Sequence, residues 1–203
     1  WSSDVCSSDL NLGVSRDYIC VTTDCFNGNG GNRVMIFDKA AAMSGTLGTW
    51  WNEQMDSNLQ SLGATKNYDS GNAYQYFVSA GFGSGSSLRI QCKKTPTATP
   101  NSTNVAVSYF DTPGYAPQQG TSTQIWTIDT RIKHGVVRNG HLYCAHGIGS
   151  GGVTLVRWYE IDLGNWPDSG TPTLVQEGEV ALGSGVYSWF PDICPDDQGN
   201  IAL

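Results

Sequence analysis

Four times along the chain a turn rich in small, polar or glycine residues launches the same short apolar strand, beginning at Tyr18, Tyr76, Leu142 and Ile201. Two copies align almost without a gap: Phe77-Val78-Ser79-Ala80-Gly81-Phe82-Gly83-Ser84-Gly85 against Tyr143-Cys144-Ala145-His146-Gly147-Ile148-Gly149-Ser150-Gly151. The starting points lie 58, 66 and 59 residues apart, so the unit is about sixty residues long. A repeat of fixed period is one supersecondary unit that cannot bury its apolar face alone and stacks on its neighbours. That constrains the architecture far more than it constrains the activity.

The third unit is the clearest. Val136-Val137-Arg138 runs into Asn139-Gly140, and Leu142-Tyr143-Cys144-Ala145 runs back. Asn-Gly between apolar runs signals a tight hairpin, because both residues accept the positive φ of a type I′ turn. Residues 147–152 read as a flexible glycine-rich connection to a long strand over 153–161, and a Pro/Asp/Gly turn leads to a fourth strand over 173–180. The second unit fits the same scheme through 74–80, 88–92 and 105–109, and the first keeps 18–22 and 33–37. Only Ala40-Ala41-Ala42-Met43 suggests helix, one turn long.

Four antiparallel strands per unit is the composition of a propeller blade. The expectation is therefore an all-β chain, a β-propeller fragment of about three four-stranded antiparallel blades in an open arc. The blades fall at 11–60, 61–125 and 126–185, with the start of a fourth at 186–203. A β-sandwich is the competing fold, since strands every eight to twelve residues suit it too, but it does not account for the self-similarity.

Both ends of the chain are distinctive. Residues 1–10, Trp-Ser-Ser-Asp-Val-Cys-Ser-Ser-Asp-Leu, resemble the translation of a widely used sequencing adapter, so they are expected to be a non-native scar without regular structure packed on the core. Leu203 falls inside the strand that Gly199-Asn200-Ile201 has just begun, which suggests an internal piece of a longer reading frame.

With Asp4 and Asp9 set aside, 11 basic residues face 16 acidic ones, net −5, and no charge run occurs. That argues against a nucleic-acid partner, which needs a clustered basic stripe. No window approaches the run of about 18 apolar residues that a spanning helix needs. Abundant Gly, Asn, Ser, Thr and aromatic residues with scarce Lys favour twisted sheets and an exported protein, secreted or at the cell surface. Outside the first ten residues stand Cys20, Cys25, Cys92, Cys144 and Cys194. An odd count defines no disulfide framework. Cys20 and Cys144 sit where the second copy has Val78, which reads as a buried small hydrophobe. No Cys/His pair has a zinc spacing, and Asp196-Asp197 with Asn200 matches no calcium loop, so no metal or cofactor is expected.

The stretch Trp189-Phe190-Pro191-Asp192-Ile193 followed by Asp197-Gln198-Gly199-Asn200-Ile201-Ala202-Leu203 resembles a segment recurring in sialidase-like bacterial β-propellers. Asp17-Tyr18-Ile19-Cys20-Val21-Thr22 with Val34-Met35-Ile36-Phe37-Asp38-Lys39 is similar. The resemblance implies a six- or seven-bladed propeller, usually in an exported protein. The chain departs from that family's enzymes: the Ser-x-Asp-x-Gly-x-Thr-Trp box is absent, with Asp197-Gln198-Gly199-Asn200-Ile201 as its nearest relic. Residues of the types used by sialidases occur (Arg131, Arg138, Arg157, Tyr187, Glu177, Asp129), but no motif gives any of them a role.

Residues 111–131 interrupt the repeat, and Trp126, Asp129 and Arg131 stand at the end of this insertion. Insertions in repeat proteins gather on one face, often the binding face. A Trp with Asp and Arg nearby can stack on a sugar ring and bind its hydroxyls; the plainer reading is a surface crossover. His146 replaces Ala80 of the previous copy, and His134, Trp189 and Asp192 lie near the starts of later strands. His134, His141 and His146 lack any nucleophile elbow beside them, which favours structural histidines over general bases.

The expected binding residues are Trp126, Asp129, Arg131, His134, His146, Trp189 and Asp192; some of Asp129, Arg131, His134, His146 and Asp192 are expected to cluster on one face, near Trp126 or Trp189. The expected function is an exported protein presenting a ligand- or glycan-binding face. The alternative is a sialidase-like glycoside hydrolase whose catalytic set is divided between this chain and missing blades.

Overall fold

A computed structural model describes residues 6–25, 31–55, 61–81 and 83–203. Three antiparallel meanders of four strands follow one another. The first is β1 (Cys6–Val14), β2 (Tyr18–Cys25), β3 (Gly31–Asp38) and β4 (Trp50–Gln54). The second is β5 (Gly63–Asn67), β6 (Gln75–Ala80), β7 (Gly85–Lys93) and β8 (Asn101–Phe110). The third is β9 (His134–Arg138), β10 (His141–Ser150), β11 (Val153–Asp162) and β12 (Thr173–Val180). A single helical turn, α1 (Lys39–Met43), follows β3, with the Asp38 carboxylate accepting from Ala41 N at 2.7 Å as its N-cap. A two-stranded piece, β13 (Cys194–Pro195) with β14 (Ile201–Ala202), closes the chain.

The expectation of separate propeller blades is corrected by how these meanders join. Their first strands pair in parallel, Val14 with Lys66 and residues 64–67 with 134–137, which welds all twelve strands into one mixed, unclosed sheet. It is equally not a two-sheet sandwich. Glycine makes the seam possible. A Cβ on Gly13 would meet Ala64 Cβ and Thr65 O at 2.8 Å, and one on Gly63 would meet Ile132 O at 2.9 Å. One on Gly135 would meet Tyr143 O of its own hairpin at 3.0 Å and, across the seam, Thr65 Cγ2 at 3.4 Å. Backbones approach closely there because side chains are missing.

Local signals behave as turn chemistry requires. Asn139 and Gly140 adopt φ of 53° and 77° and join Arg138 to His141 in a two-residue hairpin loop. Asp69 caps that loop from the preceding meander, accepting from Asn139 N at 2.6 Å and Gly140 N at 2.8 Å. Residues 147–150, expected as a flexible connection, instead continue β10, since each still pairs with β11; the turn is confined to Gly151 and Gly152, at φ 56° and 83°. The amino-terminal expectation is likewise corrected in part. Cys6 and Ser7 pair with Cys25 and Asp24, so residues 6–10 belong to β1, with a bulge between Ser7 and Asn11. Backbone pairing needs no particular side chains. Val5 lies outside the described residues.

The largest core lies between the second and third meanders. Tyr76, Val78, Leu88, Ile90 and Phe110 meet Leu142, Ile148, Leu155, Tyr159 and Ile161 there. Each such side chain contributes about 1.5–3 kcal/mol when fully buried. A smaller cluster packs Cys20, Val34 and Ile36 of the first meander on Leu62, Ala64 and Phe77 of the second. On the far face of the third meander, Tyr143, Ala145 and Val156 are covered by Ile193 and Ile201. No helix among the described residues is long and apolar enough to cross a membrane.

Candidate functional site

Residues 129–134 lead into β9 and carry three of the expected site residues. Arg131 Nε donates to both carboxylate oxygens of Asp129 at 2.9 Å, and its Nη1 donates to Asp24 Oδ2 at 2.9 Å. All three side chains are buried. A guanidinium always keeps its charge and presents donors in a rigid fork, so it can serve two carboxylates at once. The arrangement ties β2 to the lead-in of β9 and leaves Asp129 and Arg131 turned toward protein rather than solvent.

His134, at the start of β9, pairs through Nε2 with Asp192 Oδ1, which also accepts from Ile193 N at 2.7 Å. Asp192 is exposed, its side chain 74% accessible, whereas His134 is 20% accessible. Trp189 is half-buried three residues earlier. The structure therefore joins His134 to Asp192, in a contact 58 positions apart in sequence.

His146 is enclosed. Its Nδ1 lies 2.7 Å from Thr130 O and its Nε2 2.9 Å from the Tyr159 hydroxyl, with the Phe110 ring edge-on at 4.9 Å. A carbonyl oxygen can only accept, so Nδ1 carries the proton and Nε2 accepts from Tyr159. Burial pushes the His146 pKa down to about 4, with repulsion from Arg157 adding to it against the opposing Thr130 bond. This neutral imidazole locks the 129–131 segment onto β10 and β11. The burial also explains why His replaces the Ala80 of the preceding copy: a polar ring here has two fixed partners.

The insertion is anchored along its length. Gly149 N donates to Asp111 O at 2.8 Å, and Ala116 and Ile125 exchange two backbone bonds of 2.9 and 2.8 Å. Thr127 and Thr154 both donate through Oγ1 to Gly114 O. Ala116 and Ile125 form an isolated antiparallel bridge, flanked by Tyr115 on one side and Trp126 on the other. Ala116 and Thr127 are buried, while Tyr115 is 56% and Trp126 61% exposed. Tyr115 carried no sequence signal of its own; only its exposure beside the bridge singles it out. Immediately beyond, Ile128 holds φ of 68°. A β-branched residue there is strained. Its neighbours Thr127 and Asp129 hold it in place through their own bonds.

A cleft of about 260 Å³ adjoins the insertion, lined by Asp111, Thr112, Gly114 and residues 149–153. A second hollow, of about 450 Å³, lies between the turn at 71–74 and residues 164–169. Its polar groups are bonded to one another: Asp168 takes the Tyr74 hydroxyl at 2.8 Å and Lys94 Nζ, and both donors hold the carboxyl below its usual range.

The other residues of sialidase type are dispersed. Arg157 binds Ser108 O, Tyr109 O and Glu179, Arg138 binds Pro195 O and stacks over Tyr68, and Arg131 is held as above. Glu177 accepts from Ser108 N, and the Tyr187 hydroxyl donates to Gly152 O. Among the described residues no group of three His, Cys, Asp or Glu side chains is arranged to hold a metal ion. Comparison with protein-family models, with curated proteins and with solved structures gives no match for this chain.

Proposed function

We propose that this is an exported protein that binds glycan through the face formed by the 111–131 insertion, with Trp126 as the principal contact. The carrying observation is that an indole 61% exposed stands on a backbone pinned on both sides. Leaving a large apolar ring in water has a free-energy cost, and holding it rigidly reduces the ordering cost of binding. Trp supplies wide, stiff contact area with few rotatable bonds. Asp129, Arg131 and His146 act as positioning residues behind the insertion, while the His134–Asp192 pair with Trp189 forms a separate polar edge on the lead-in to β9.

The hydrolase alternative divides its catalytic set with segments outside this chain; within it, Arg131, Arg138 and Arg157 are each engaged at a different place.

The test is a printed glycan array probed with the protein and with Trp126→Ala, folding being checked by circular dichroism. Binding by the parent that the variant loses supports the reading. Equal binding by both, or none by either, overturns it. Turnover of a fluorogenic sialoside would favour the hydrolase alternative instead.

A further inference from the structure

We infer that the first meander is a separable unit, which opens from the second as one piece while the second and third stay joined. The opening does not depend on what the insertion binds, but it releases one anchor of that insertion.

The hairpin of β6 and β7 turns two unlike faces to its neighbours, because successive side chains on a strand point to opposite sides. Toward the third meander its cross-strand pairs are Tyr76 with Cys92, Val78 with Ile90 and Ala80 with Leu88, all buried and apolar. Toward the first meander they are Gln75 with Lys93, Phe77 with Gln91 and Ser79 with Arg89. Phe77 packs there on Cys20, Val34 and Ile36, and a Cβ on Gly13 would lie 2.9 Å from Gln75 Nε2. Gln75, Gln91 and Ser79 are each at most 2% exposed, yet Gln75 Oε1, Gln91 Oε1 and Ser79 Oγ find no partner among the described residues. Burying a polar atom without a partner costs free energy, and opening returns that atom to water.

The backbone seam is unequal in the same sense. β5 and β9 share four consecutive pairs, from Ala64–His134 to Asn67–Val137, whereas β1 meets β5 at Val14–Lys66 alone. Among the described residues, six buried apolar side chains form the cluster between the first and second meanders, and nineteen form the one between the second and third. In a chain of repeats each interface contributes its own stability, and the one with least apolar burial opens first.

The ties that hold the first meander are largely polar. Thr22 Oγ1 donates to Leu62 O at 2.6 Å, Lys93 Nζ pairs with Glu53, and Arg131 Nη1 donates to Asp24 Oδ2 at 2.9 Å. Arg131 also holds Asp129 at the base of the insertion, so losing Asp24 loosens that base.

The buried thiols report the two interfaces separately, since Cys20 lies in the smaller cluster and Cys92 and Cys144 in the larger. The experiment alkylates the whole protein with iodoacetamide in graded urea below the unfolding midpoint and follows each thiol by peptide mass spectrometry. Cys20 should be labelled faster than Cys92 and Cys144 by about tenfold or more. Its rate should climb with urea, less steeply than theirs, because a smaller surface is exposed. Thr22→Val, which removes the bond to Leu62 O, should speed labelling of Cys20 about tenfold. Ile148→Val, a mild change inside the larger cluster, should speed Cys144 about fivefold and leave Cys20 unchanged. Equal rates for the three thiols, or an equal response of Cys20 and Cys144 to Ile148→Val, would mean one cooperative unit and overturn the proposal. A Cys20 rate indifferent to urea would report a local fluctuation and overturn it as well, as would one that Thr22→Val leaves unchanged.

Discussion

Arg131 Nη1 donates to Asp24 Oδ2 at 2.9 Å across 107 positions of sequence, with both side chains buried. The same guanidinium holds Asp129 through Nε, four residues after Ile125, the bridge partner of Ala116, begins the exit from the insertion. One cation therefore couples the first meander to the segment that supports Trp126. Removing it strands two carboxylates in a low-dielectric setting.

Arg131→Leu should lower unfolding free energy by about 3–5 kcal/mol, the range for breaking a buried pair from one side. Arg131→Lys should lose about 1–3 kcal/mol, because one ammonium cannot reproduce the fork. Urea denaturation followed by tryptophan fluorescence measures both. A loss below about 1 kcal/mol for Arg131→Leu would show that the cluster holds little.

His146 predicts acid sensitivity. Its folded pKa of about 4 lies below the ordinary value of 6.5, so the unfolded chain takes up the proton first. Stability contributed by the neutral ring is intact above about pH 6.5 and falls as pH drops toward about 4, by up to about 3 kcal/mol. His146→Gln can donate to Thr130 O and accept from Tyr159 without titrating. Denaturation midpoints compared at pH 7 and 4.5 should fall less in this variant than in the parent; an equal fall would assign the acid sensitivity to other groups.

Gly149→Ala should loosen the insertion. The added Cβ would lie 2.4 Å from Thr112 O, a backbone atom that can move only if the Asp111–Gly149 bridge opens. The expected loss is about 1–3 kcal/mol, as for overpacking. Faster amide exchange at Gly149, Ala116 and Ile125 should accompany it. A variant with unchanged exchange at those amides would show that the strap is not anchored there.

The thiols should divide by environment. Burial pushes Cys20, Cys92 and Cys144 upward from the usual thiol range, and all three are inaccessible, whereas Cys194 is exposed. The thiolate is the reactive form. Iodoacetamide labelling resolved by mass spectrometry should mark Cys194 in the native protein and the other three only in denaturant. Native labelling of Cys144 would contradict the core packing described for β10.

Much of the local structure was legible in the residues. The strand starts near Tyr18, Tyr76, Leu142 and Ile201, the Asn139-Gly140 hairpin and the single turn of α1 all follow from short-range alternation, turn chemistry and capping. The buried character of Cys20 and Cys144 was equally readable, from their alignment with Val78. Such signals act over a few residues, so a sequence carries them whole. How the units join was a different matter. The repeat suggested independent blades, but parallel pairing of β1, β5 and β9 made one sheet, and it depends on Gly13 and Gly63 meeting backbone from distant segments. Nothing local marks a glycine as a place of approach rather than a turn. The same holds for Asp24 with Arg131, for His134 with Asp192 and for Ala116 with Ile125. Each pair is chosen by where the backbone returns, and free energy from burial and shared charge exists only once the two residues have met.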